Sequence, residues 1–322
     1  MPDSRLRPRR TALVGAALDR GAPVVALESS VLAQGLLPPF NREAAEGMTG
    51  AVTAAGAIPA MTAVVRGEPT FGLEPDELER FLARTDIRKV SARDLAMAMA
   101  DGADGATTVA ATLALCALGG IDVFATGGIG GVHRDAPFDE SADLLELART
   151  QVIVVCAGAK SILDLPATLE RLETLGVSVV GYRTRELPGF FTTTTGLPLS
   201  SWADSVGTIA AAWRAHLALG RPGAMLVVQP PPEASALPPE LVEDATAAAL
   251  THAATLGIRG AAVTPFLLTE VQRRTDGASV RANLALLSSN AALAGAIAVA
   301  LHGSRAGLTV GPGGNGTNGG TS

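Results

Sequence analysis

Lys160 is the residue whose type and setting most clearly suggest covalent chemistry. It follows the apolar segment VIVVC and an Ala-Gly-Ala turn, within VIVVCAGAKSILD. Small neighbours leave room for a ligand, and apolar surroundings disfavour the charged ammonium. A neutral lysine amine can attack a sugar carbonyl and form an imine, which then serves as an electron sink. A lysine beside a helix N-terminus can equally hold a phosphate or an acidic side chain, so both roles stay open.

Glu28 stands at the end of another apolar segment, in ALESS. A carboxyl between an apolar strand and a turn of small residues is suited to act as a general acid. The side chain could instead cap the turn that follows, although the neighbouring serines are better caps. General acid and cap therefore remain alternatives for this residue.

The segment RKVSARDL brings Lys89, Ser91, Arg93 and Asp94 close together. Two cations and a hydroxyl are groups that bind a phosphate, and a neighbouring carboxylate can orient the arginine. A surface ion pair at the start of a helix explains the same cluster. The segment is a candidate phosphate site with that alternative beside it.

Four glycines occur in ATGGIGGVHRD, after the apolar segment IDVFA. Glycines allow main-chain amides to approach a phosphate or an oxyanion closely. The patterns GxxxxGK[ST] and GxGxxG are both absent, which disfavours nucleoside triphosphates and NAD as ligands. His133 closes the loop and is a candidate ligand contact. The other histidines, at 216, 252 and 302, are too scattered for a zinc site and are predicted on helix surfaces.

Asp139, Ser141 and Asp143 lie in FDESADL. Oxygen ligands at this spacing could hold a hard divalent cation together with several waters. Acidic residues and serine are also favoured at a helix N-terminus, which is the alternative interpretation.

Two asparagines, Asn283 and Asn290, interrupt the long apolar stretch near the C-terminus. Asparagine is a weak helix former, so an inward-facing one needs a buried polar partner or a ligand. Exposure on the helix surface is the alternative.

The elements that must position these residues alternate between apolar segments and alanine- and leucine-rich segments. Strands are predicted at 23–27, 58–65, 121–125, 152–156, 177–181 and 224–228, with a weaker one at GAAV, 260–263. Helices are predicted at 43–55, 75–83, 107–118, 141–149, 204–219, 239–256 and 279–301. The alternation predicts the α/β class with a mainly parallel sheet, in which ligands bind beyond the carboxyl ends of the strands. The candidate residues recur at these ends.

Composition limits the classes of function. The chain has 322 residues, 48% hydrophobic residues and a net charge of −6, which predicts a well-packed core and disfavours nucleic acid as a partner. Cys116 and Cys156 have apolar neighbours and no metal-ligand spacing, so we expect reduced core residues in a cytoplasmic protein. The N-terminal apolar stretch is too short for a signal peptide or a membrane span. Residues 1–11 and the Gly-rich tail 304–322 are expected to be flexible, flanking one domain at 12–303.

Long ordered segments of the chain resemble the pseudouridine-5'-phosphate glycosidase family, also described as the indigoidine-synthase-A-like family. The resemblance covers roughly residues 12–303. The segments that carry it are ALESS, RKVSARDL, GATTVAATLALCALGGIDVFATGGIGGVHR, ESADLLELA, VIVVCAGAKSILDLPATLERLETLGVSVVGY, VTPFLL and ANLALLSSNAALA.

The resemblance implies reversible cleavage of pseudouridine 5'-phosphate to uracil and ribose 5-phosphate, with a divalent metal, typically Mn2+, in a homotrimer of three-layer α/β/α subunits. The bond joins two carbons, so the leaving group is far poorer than in ordinary glycosidases. An imine of Lys160 at the sugar C1' answers that difficulty. By resemblance, Glu28 is the proton donor, Asn283 contributes its side-chain amide to the active site, and Asp139 is the metal ligand. Substrate contacts are implied for Lys89, Val109, Ser141, Ala142 and Asp143, and phosphate contacts are expected from Thr126 or His133.

The chain departs from the family pattern at several positions. Gln34 replaces a common histidine, Glu140 replaces an isoleucine, and Asp135 replaces a glycine, while TTTTG at 192–196 varies a stretch that usually ends in Ser-Gly. Glu140 lies within FDESADL, and the loop before it is two residues shorter than in the family, so Asp143 is an alternative metal ligand to Asp139. Two other functions remain: a class I aldolase-like lyase acting on a sugar phosphate, and a non-catalytic sugar-phosphate-binding protein.

Overall fold

The computed structural model describes residues 6–134, 139–260 and 263–303 of the chain. The strands are β1 Arg9–Arg10, β2 Val24–Glu28, β3 Ile58–Val65, β4 Glu68–Phe71, β5 Arg88–Val90, β6 Gly105–Thr107, β7 Val123–Ala125, β8 Val132–His133, β9 Ile153–Cys156, β10 Leu163–Asp164, β11 Ser178–Tyr182, β12 Trp202–Ala203 and β13 Met225–Val228. The helices are α1 Ala12–Asp19, α2 Phe40–Ala54, α3 Pro75–Ala83, α4 Leu95–Ala100, α5 Val109–Gly119, α6 Ala142–Arg149, α7 Leu165–Thr174, α8 Val206–Ala218, α9 Pro239–Thr255, α10 Val263–Arg274 and α11 Ala278–Gly303.

Most of the strands form one sheet in the order β1-β4-β3-β2-β7-β9-β13-β11-β12. From β3 to β12 all neighbours are parallel, whereas β4 and β6 pair with β3 in the antiparallel sense. Strands β2, β9 and β13 are buried at every position. Burial on both faces explains why these strands are continuous apolar runs rather than alternating ones.

Helices cover both faces of this sheet. On one side α11 packs on β2, β7 and β9 and is flanked by α2 and α8. On the other side α5 lies on β2 and β7, next to α6, which contacts α7. The predicted three-layer α/β/α fold with a mainly parallel sheet is therefore confirmed.

Two predictions about chain segments need correction, and a third, the flexible tail, stays a prediction. The strand predicted at 260–263 is wrong at both of its described ends, because Gly260 has a left-handed φ of +61° and Val263 begins α10, which has a proline in its first turn. Residues 261 and 262 lie outside the described residues. The chain is already ordered before residue 12, because Arg9 pairs along β4 and its guanidinium donates to both Glu77 oxygens at 2.7 and 2.8 Å. The tail at 304–322 lies outside the described residues.

Several short elements had no counterpart in the sequence prediction. Strands β4, β5 and β6 and helices α1, α4 and α7 were not predicted. The two strands β5 and β6 contain three residues each and exist because they pair with each other and, through β6, with β3. Such non-local pairing leaves no periodic signal in a three-residue stretch.

His216 is buried rather than on a helix surface. Its ring stacks on Trp213 at 5.1 Å, and its Nε2 lies 3.1 Å from the Gly223 carbonyl oxygen. Cys116 and Cys156 are buried free thiols, as expected for core residues, and burial raises the pKa of Cys156 to about 12.

Helix α11 is long and apolar enough to cross a membrane by length and composition alone, and it is the one such helix in the described ranges. Over half of its most apolar window is buried inside the fold, against the sheet and α2. Its composition is thus explained by its position in the core.

Candidate active site

A cavity of about 480 Å3 opens beyond the carboxyl ends of β2, β7 and β9. The predicted site residues that line it are Glu28, Lys89, Val109, His133, Asp139, Ser141, Ala142, Asp143, Lys160 and Asn283. Thr126 is not part of the lining; it is buried and its hydroxyl donates to the carboxylate of Glu28. The structure therefore brings all of these residues to one place, as parallel strands with a common carboxyl edge predict.

The glycine-rich loop after β7 continues to pair with the segment after β9 beyond the end of the sheet. The amide of Thr126 donates to the Val155 carbonyl at 3.0 Å, and the amide of Ala157 donates to the Gly127 carbonyl at 2.9 Å. The pairing extends past Gly158, whose carbonyl accepts the amide of Ile129 at 3.1 Å. This ladder fixes the loop relative to the segment that carries Lys160.

Lys160 is half-buried and held by the same loop at two points. Its amide donates to the Ile129 carbonyl at 3.1 Å, and its Nζ donates to the Gly128 carbonyl at 2.9 Å. A Cβ on Gly128 would lie 2.7 Å from the ring of Phe190, so a glycine is required there. The amine is thereby directed into the cavity by backbone contacts, as a nucleophile requires.

Glu28 ends β2 and is 6% exposed. Its two carboxylate oxygens accept hydrogen bonds from Thr126 Oγ1 and, at 2.6 Å, from Ser30 Oγ. Neither bond is to a backbone amide, so Glu28 does not cap the turn. A buried carboxyl that faces a ligand cavity and is held by two hydroxyls is suited to donate or accept a proton.

The chain contains two lysines, and both line this cavity. Water reaches the side chain of Lys89, yet the cavity walls partly desolvate it and lower its pKa from 10.5; the positive charge of Lys160 lowers that pKa further. The carboxylates of Asp143 and Glu28 oppose the shift. Arginine serves at nearly all other cationic positions, but it could not supply a neutral amine.

The segment RKVSARDL combines both of its alternative roles. Ser91 and Asp94 form a capping box at the start of the short helix that precedes α4, and the Ser91 amide donates to Asp94 Oδ2 at 3.1 Å. Arg93 is 3.6 Å from Asp94 and its side chain is 74% exposed. Lys89, Ser91 and Arg93 nevertheless all line the cavity, so the cap presents cations to a ligand.

Asp143 joins two parts of the cavity wall. It is buried, and its Oδ1 accepts the Ala110 amide of α5 at 2.9 Å, while its Oδ2 accepts the Gly130 amide at 2.8 Å. The N-terminal residues of α5, Thr108 and Val109, line the cavity beside it. Asp143 thus holds the glycine loop against the positive end of α5, where an anion binds favourably.

The N-terminus of α6 forms the adjacent wall. Ser141 caps the helix, because its Oγ accepts the Asp143 amide at 3.2 Å, and Ala142 is the first helical residue. The helix-terminus interpretation of FDESADL is therefore correct, although Ser141 and Ala142 still face the ligand space.

Few side chains of the cavity are suited to bind a metal ion. No group of three or more His, Cys, Asp or Glu is arranged to hold a metal within 6–134, 139–260 and 263–303. Among the cavity carboxylates, Asp143 serves two amides and Glu140 pairs with Arg171 at 2.9 Å, whereas Asp139 is exposed. A hard cation that keeps several waters and binds a substrate phosphate needs only one or two carboxylates. The donor set fits such an ion at Asp139 and does not form an all-protein cage.

The remaining predicted contacts also reach the cavity. His133 lies in β8, where pairing with β10 fixes it, and its amide donates to the Asp139 carbonyl at 3.0 Å. Asn283 of α11 faces the glycine loop, because its Oδ1 would lie 3.5 Å from a Cβ on Gly127. Asn290 is instead fully buried, behind the site.

Sequence reasoning missed Phe190, which lines the cavity and packs on Gly128. Its backbone has a left-handed φ of +66°, and its amide donates to the Ala157 carbonyl at 3.1 Å. A phenylalanine in this conformation is locally strained, and strained residues of this kind cluster at functional sites. The segment LPGFF carries no pattern that reveals it.

Relatives and solved structures match most of the length of the chain. A relative from Gemmatimonas aurantiaca named pseudouridine-5'-phosphate glycosidase is 72% identical over 301 residues, which are 94% of this chain and 98% of the relative. A protein of the same name from Herpetosiphon aurantiacus is 54% identical, over 89% of this chain and 96% of its own.

Two crystal structures share the fold. The prealnumycin C-glycosynthase AlnA, in complex with ribulose 5-phosphate, has a TM-score of 0.87 and 40% identity over 95% of this chain and 100% of its own. An indigoidine synthase A-like protein from Thermotoga maritima has a TM-score of 0.84 and 33% identity over 92% and 97%. The family model of indigoidine synthase A like protein matches residues 13–300, and with these relatives it establishes that the chain belongs to that family.

Proposed function

We propose that this protein is a pseudouridine-5'-phosphate glycosidase, which reversibly cleaves the carbon–carbon bond between ribose C1' and uracil C5. The observation that carries the proposal is the meeting of Lys160, Glu28 and Lys89 in one cavity. Each supplies what the substrate requires: an amine for C1', a carboxyl for proton transfer and a cation for the phosphate. The names of the relatives support the same reaction.

The proposed chemistry runs through an imine. The C1'–O4' bond breaks as Glu28 gives a proton to O4', and the uncharged Nζ of Lys160 forms a bond to C1'. The new secondary ammonium at Nζ loses a proton to the ionised Glu28 and so regains its lone pair. The C1'–C5 bond then breaks with its electron pair left on uracil C5, which takes that proton from Glu28, while the nitrogen lone pair completes the C1'=N bond. Water adds to this imine, releasing ribose 5-phosphate and restoring the amine.

We assign the phosphate to the cationic wall made by Lys89, Arg93 and the N-terminus of α5 at Val109. His133 and the α6 terminus at Ser141 border the same space. A helix N-terminus and two cations offer both charge and amide donors to a dianion. Asn283 faces the glycine loop, and we propose that it orients the reacting part of the substrate.

We propose Mn2+ as the cofactor, held by Asp139 together with water and the substrate phosphate, because carboxylate and phosphate oxygens suit this ion. When bound, the ion supplies positive charge that offsets the phosphate.

We further propose a homotrimer working in the cytoplasm. The free buried thiols agree with a reducing compartment. Light scattering tests the trimer: a mass three times the 32.5 kDa of one chain is expected.

The test is to incubate the protein with pseudouridine 5'-phosphate and a manganese salt, then measure free uracil by chromatography. Uracil release by wild type, abolished in Lys160→Ala, is the expected result. Folded wild type that releases no uracil contradicts the proposal. Cleavage of a sugar phosphate without uracil release would instead indicate the aldolase-like lyase, and ligand binding with no turnover would indicate the non-catalytic protein.

A further inference from the structure

Asn290 lies in the middle of α11, is 1% exposed and lines no part of the cavity. Its Nδ2 donates to the Thr126 carbonyl at 2.9 Å and to the Gly127 carbonyl at 3.3 Å. These are the first two residues after β7, where the chain leaves the sheet and enters the glycine loop. A helix side chain thereby fixes the backbone at the root of that loop.

Gln229 sets the orientation of this amide. Its Nε2 donates to Asn290 Oδ1 at 2.9 Å, and its own backbone amide donates to the Cys156 carbonyl at 3.0 Å. Carbonyl oxygens can only accept, so the two carbonyls at Thr126 and Gly127 require the NH2 end of Asn290. The asparagine is satisfied at both ends and has one arrangement.

The contacts continue from Thr126 to the predicted proton donor. Thr126 is 1% exposed, and its hydroxyl donates to Glu28 Oε1. Gln229, Asn290, Thr126 and Glu28 thus form a continuous polar path from the end of β13, through α11 and the end of β7, to the end of β2. In a dry interior such a fully paired network is rigid, and each group is costly to displace.

A hydroxyl beside a proton donor has a particular use. It can donate to the ionised carboxylate and accept from the protonated carboxyl, so the heavy atoms need not move as Glu28 changes state. This holds only while the oxygen stays in place. The position of Thr126 Oγ1 depends on the backbone that Asn290 holds.

We propose that Asn290 is a positioning residue for proton transfer at Glu28, acting through Thr126 and oriented by Gln229. The proposal rests on the proposed function, because it assigns Glu28 to proton transfer. It concerns catalysis at saturating substrate and leaves the phosphate wall, which lies on other elements, unaffected.

The experiment compares Asn290→Leu, Thr126→Val and the double variant with wild type, using uracil release from pseudouridine 5'-phosphate. In Asn290→Leu we expect kcat to fall roughly tenfold to hundredfold while KM stays within about threefold, because misplacement of a catalytic group costs mainly kcat. The double variant should be no slower than the slower single variant, because both changes interrupt the same path. Losses that multiply in the double variant would overturn the proposal, as would wild-type kcat in Asn290→Leu.

Two further measurements separate positioning from damage to the fold. Reduction with borohydride in the presence of ribose 5-phosphate should still trap the imine on Lys160 in Asn290→Leu, since the amine is held by Gly128 and not by Asn290. Loss of this adduct together with turnover contradicts the proposal, because Asn290 would then support the cavity as a whole. If Asn290→Leu does not fold, Asn290→Ala takes its place with the same expectations.

His216→Phe is the matched control. It removes another buried contact between a side chain and a loop carbonyl, that of Gly223, which precedes β13 and therefore lies at the amino ends of the strands, opposite the cavity. This variant should lose stability yet keep kcat, and an equal loss of kcat in it would contradict a specific role for Asn290. Wild type is measured in parallel: absence of uracil there refutes the proposed function, whereas an active wild type with an unaffected Asn290→Leu refutes the positioning role alone.

Discussion

The ammonium of Lys160 donates a hydrogen bond of 2.9 Å to the carbonyl oxygen of Gly128. The same loop accepts the backbone amide of Lys160 at Ile129. The loop therefore controls where the amine lies, and the loop in turn is packed against Phe190. Perturbing this packing should affect catalysis more than it affects the fold.

Gly128→Ala tests the packing directly. The added Cβ would lie 2.7 Å from the Phe190 ring and 3.0 Å from the Gly158 oxygen, so the loop must shift. We expect kcat/KM to fall more than about tenfold and stability to fall by about 1–3 kcal/mol, the usual range for overpacking. Gly50→Ala in α2 is the control, because its Cβ meets nothing within 4 Å and should be neutral or stabilising. Unchanged kcat/KM in Gly128→Ala would show that the loop does not set the position of the amine.

The lowered pKa of Lys89 predicts that substrate binding weakens at alkaline pH. Desolvation, and then the charge of Lys160, lower the pKa of Lys89 below 10.5, so its charge is lost at a lower pH than that of an exposed lysine. As pH rises through this lowered value, kcat/KM should fall. Lys89→Arg keeps a permanent charge and should remove this alkaline limb, which a pH profile of kcat/KM measures.

Lys89→Met is the companion variant for the same site. It removes a charged contact with phosphate, commonly about 1.5–3 kcal/mol, so kcat/KM should fall roughly tenfold to hundredfold at neutral pH. An alkaline limb that persists in Lys89→Arg would assign the titration to another group. Full activity in Lys89→Met would place the phosphate elsewhere in the cavity.

Asp143 and Asp139 should give opposite results when each is replaced by asparagine. Asp143→Asn turns one acceptor into a donor facing a backbone amide, either Ala110 or Gly130, and should cost about 1–3 kcal/mol of stability. Exposed Asp139→Asn should leave the melting temperature unchanged but raise the manganese concentration needed for full activity. Thermal unfolding and metal titration measure the two effects. A raised manganese requirement in Asp143→Asn alone would move the metal ligand to that residue.

The lowered pKa of Glu270 predicts that acid weakens the contact between α9 and α10. Hydrogen bonds from Arg273, and then from His252, lower the pKa of Glu270 from 4.5 to about 2. The unfolded chain therefore binds more protons between these values, and the stabilisation is lost as pH falls from about 4.5 towards 2. The stability difference between wild type and Glu270→Gln, measured by urea unfolding, should be largest near neutral pH and shrink in this window. Glu240→Gln, an exposed position on α9, should differ little from wild type at each pH, and a pH-independent difference for Glu270→Gln would contradict the assignment.

The parts of the fold that depend on local patterns were predictable. Segments such as VIVVC are apolar at every position because both faces of the sheet are covered, and the polar residues after them, including Glu28 and Lys160, had to meet at one edge. Asn290 stood out as a polar residue in an apolar helix, but its partners lie far away in the sequence and could not be inferred. The left-handed backbone of Phe190 and the pairing of β5 with β6 likewise depend on tertiary contacts alone.

Lys160 is expected to be the residue that forms the imine. The most direct measurement is borohydride reduction of wild type with ribose 5-phosphate, followed by peptide mapping in a mass spectrometer. Because the chain has two lysines, the adduct can be assigned between Lys160 and Lys89 without ambiguity. We predict one ribityl phosphate group per chain, on Lys160, and no adduct in Lys160→Ala. An adduct on Lys89, or one that persists in Lys160→Ala, would contradict it.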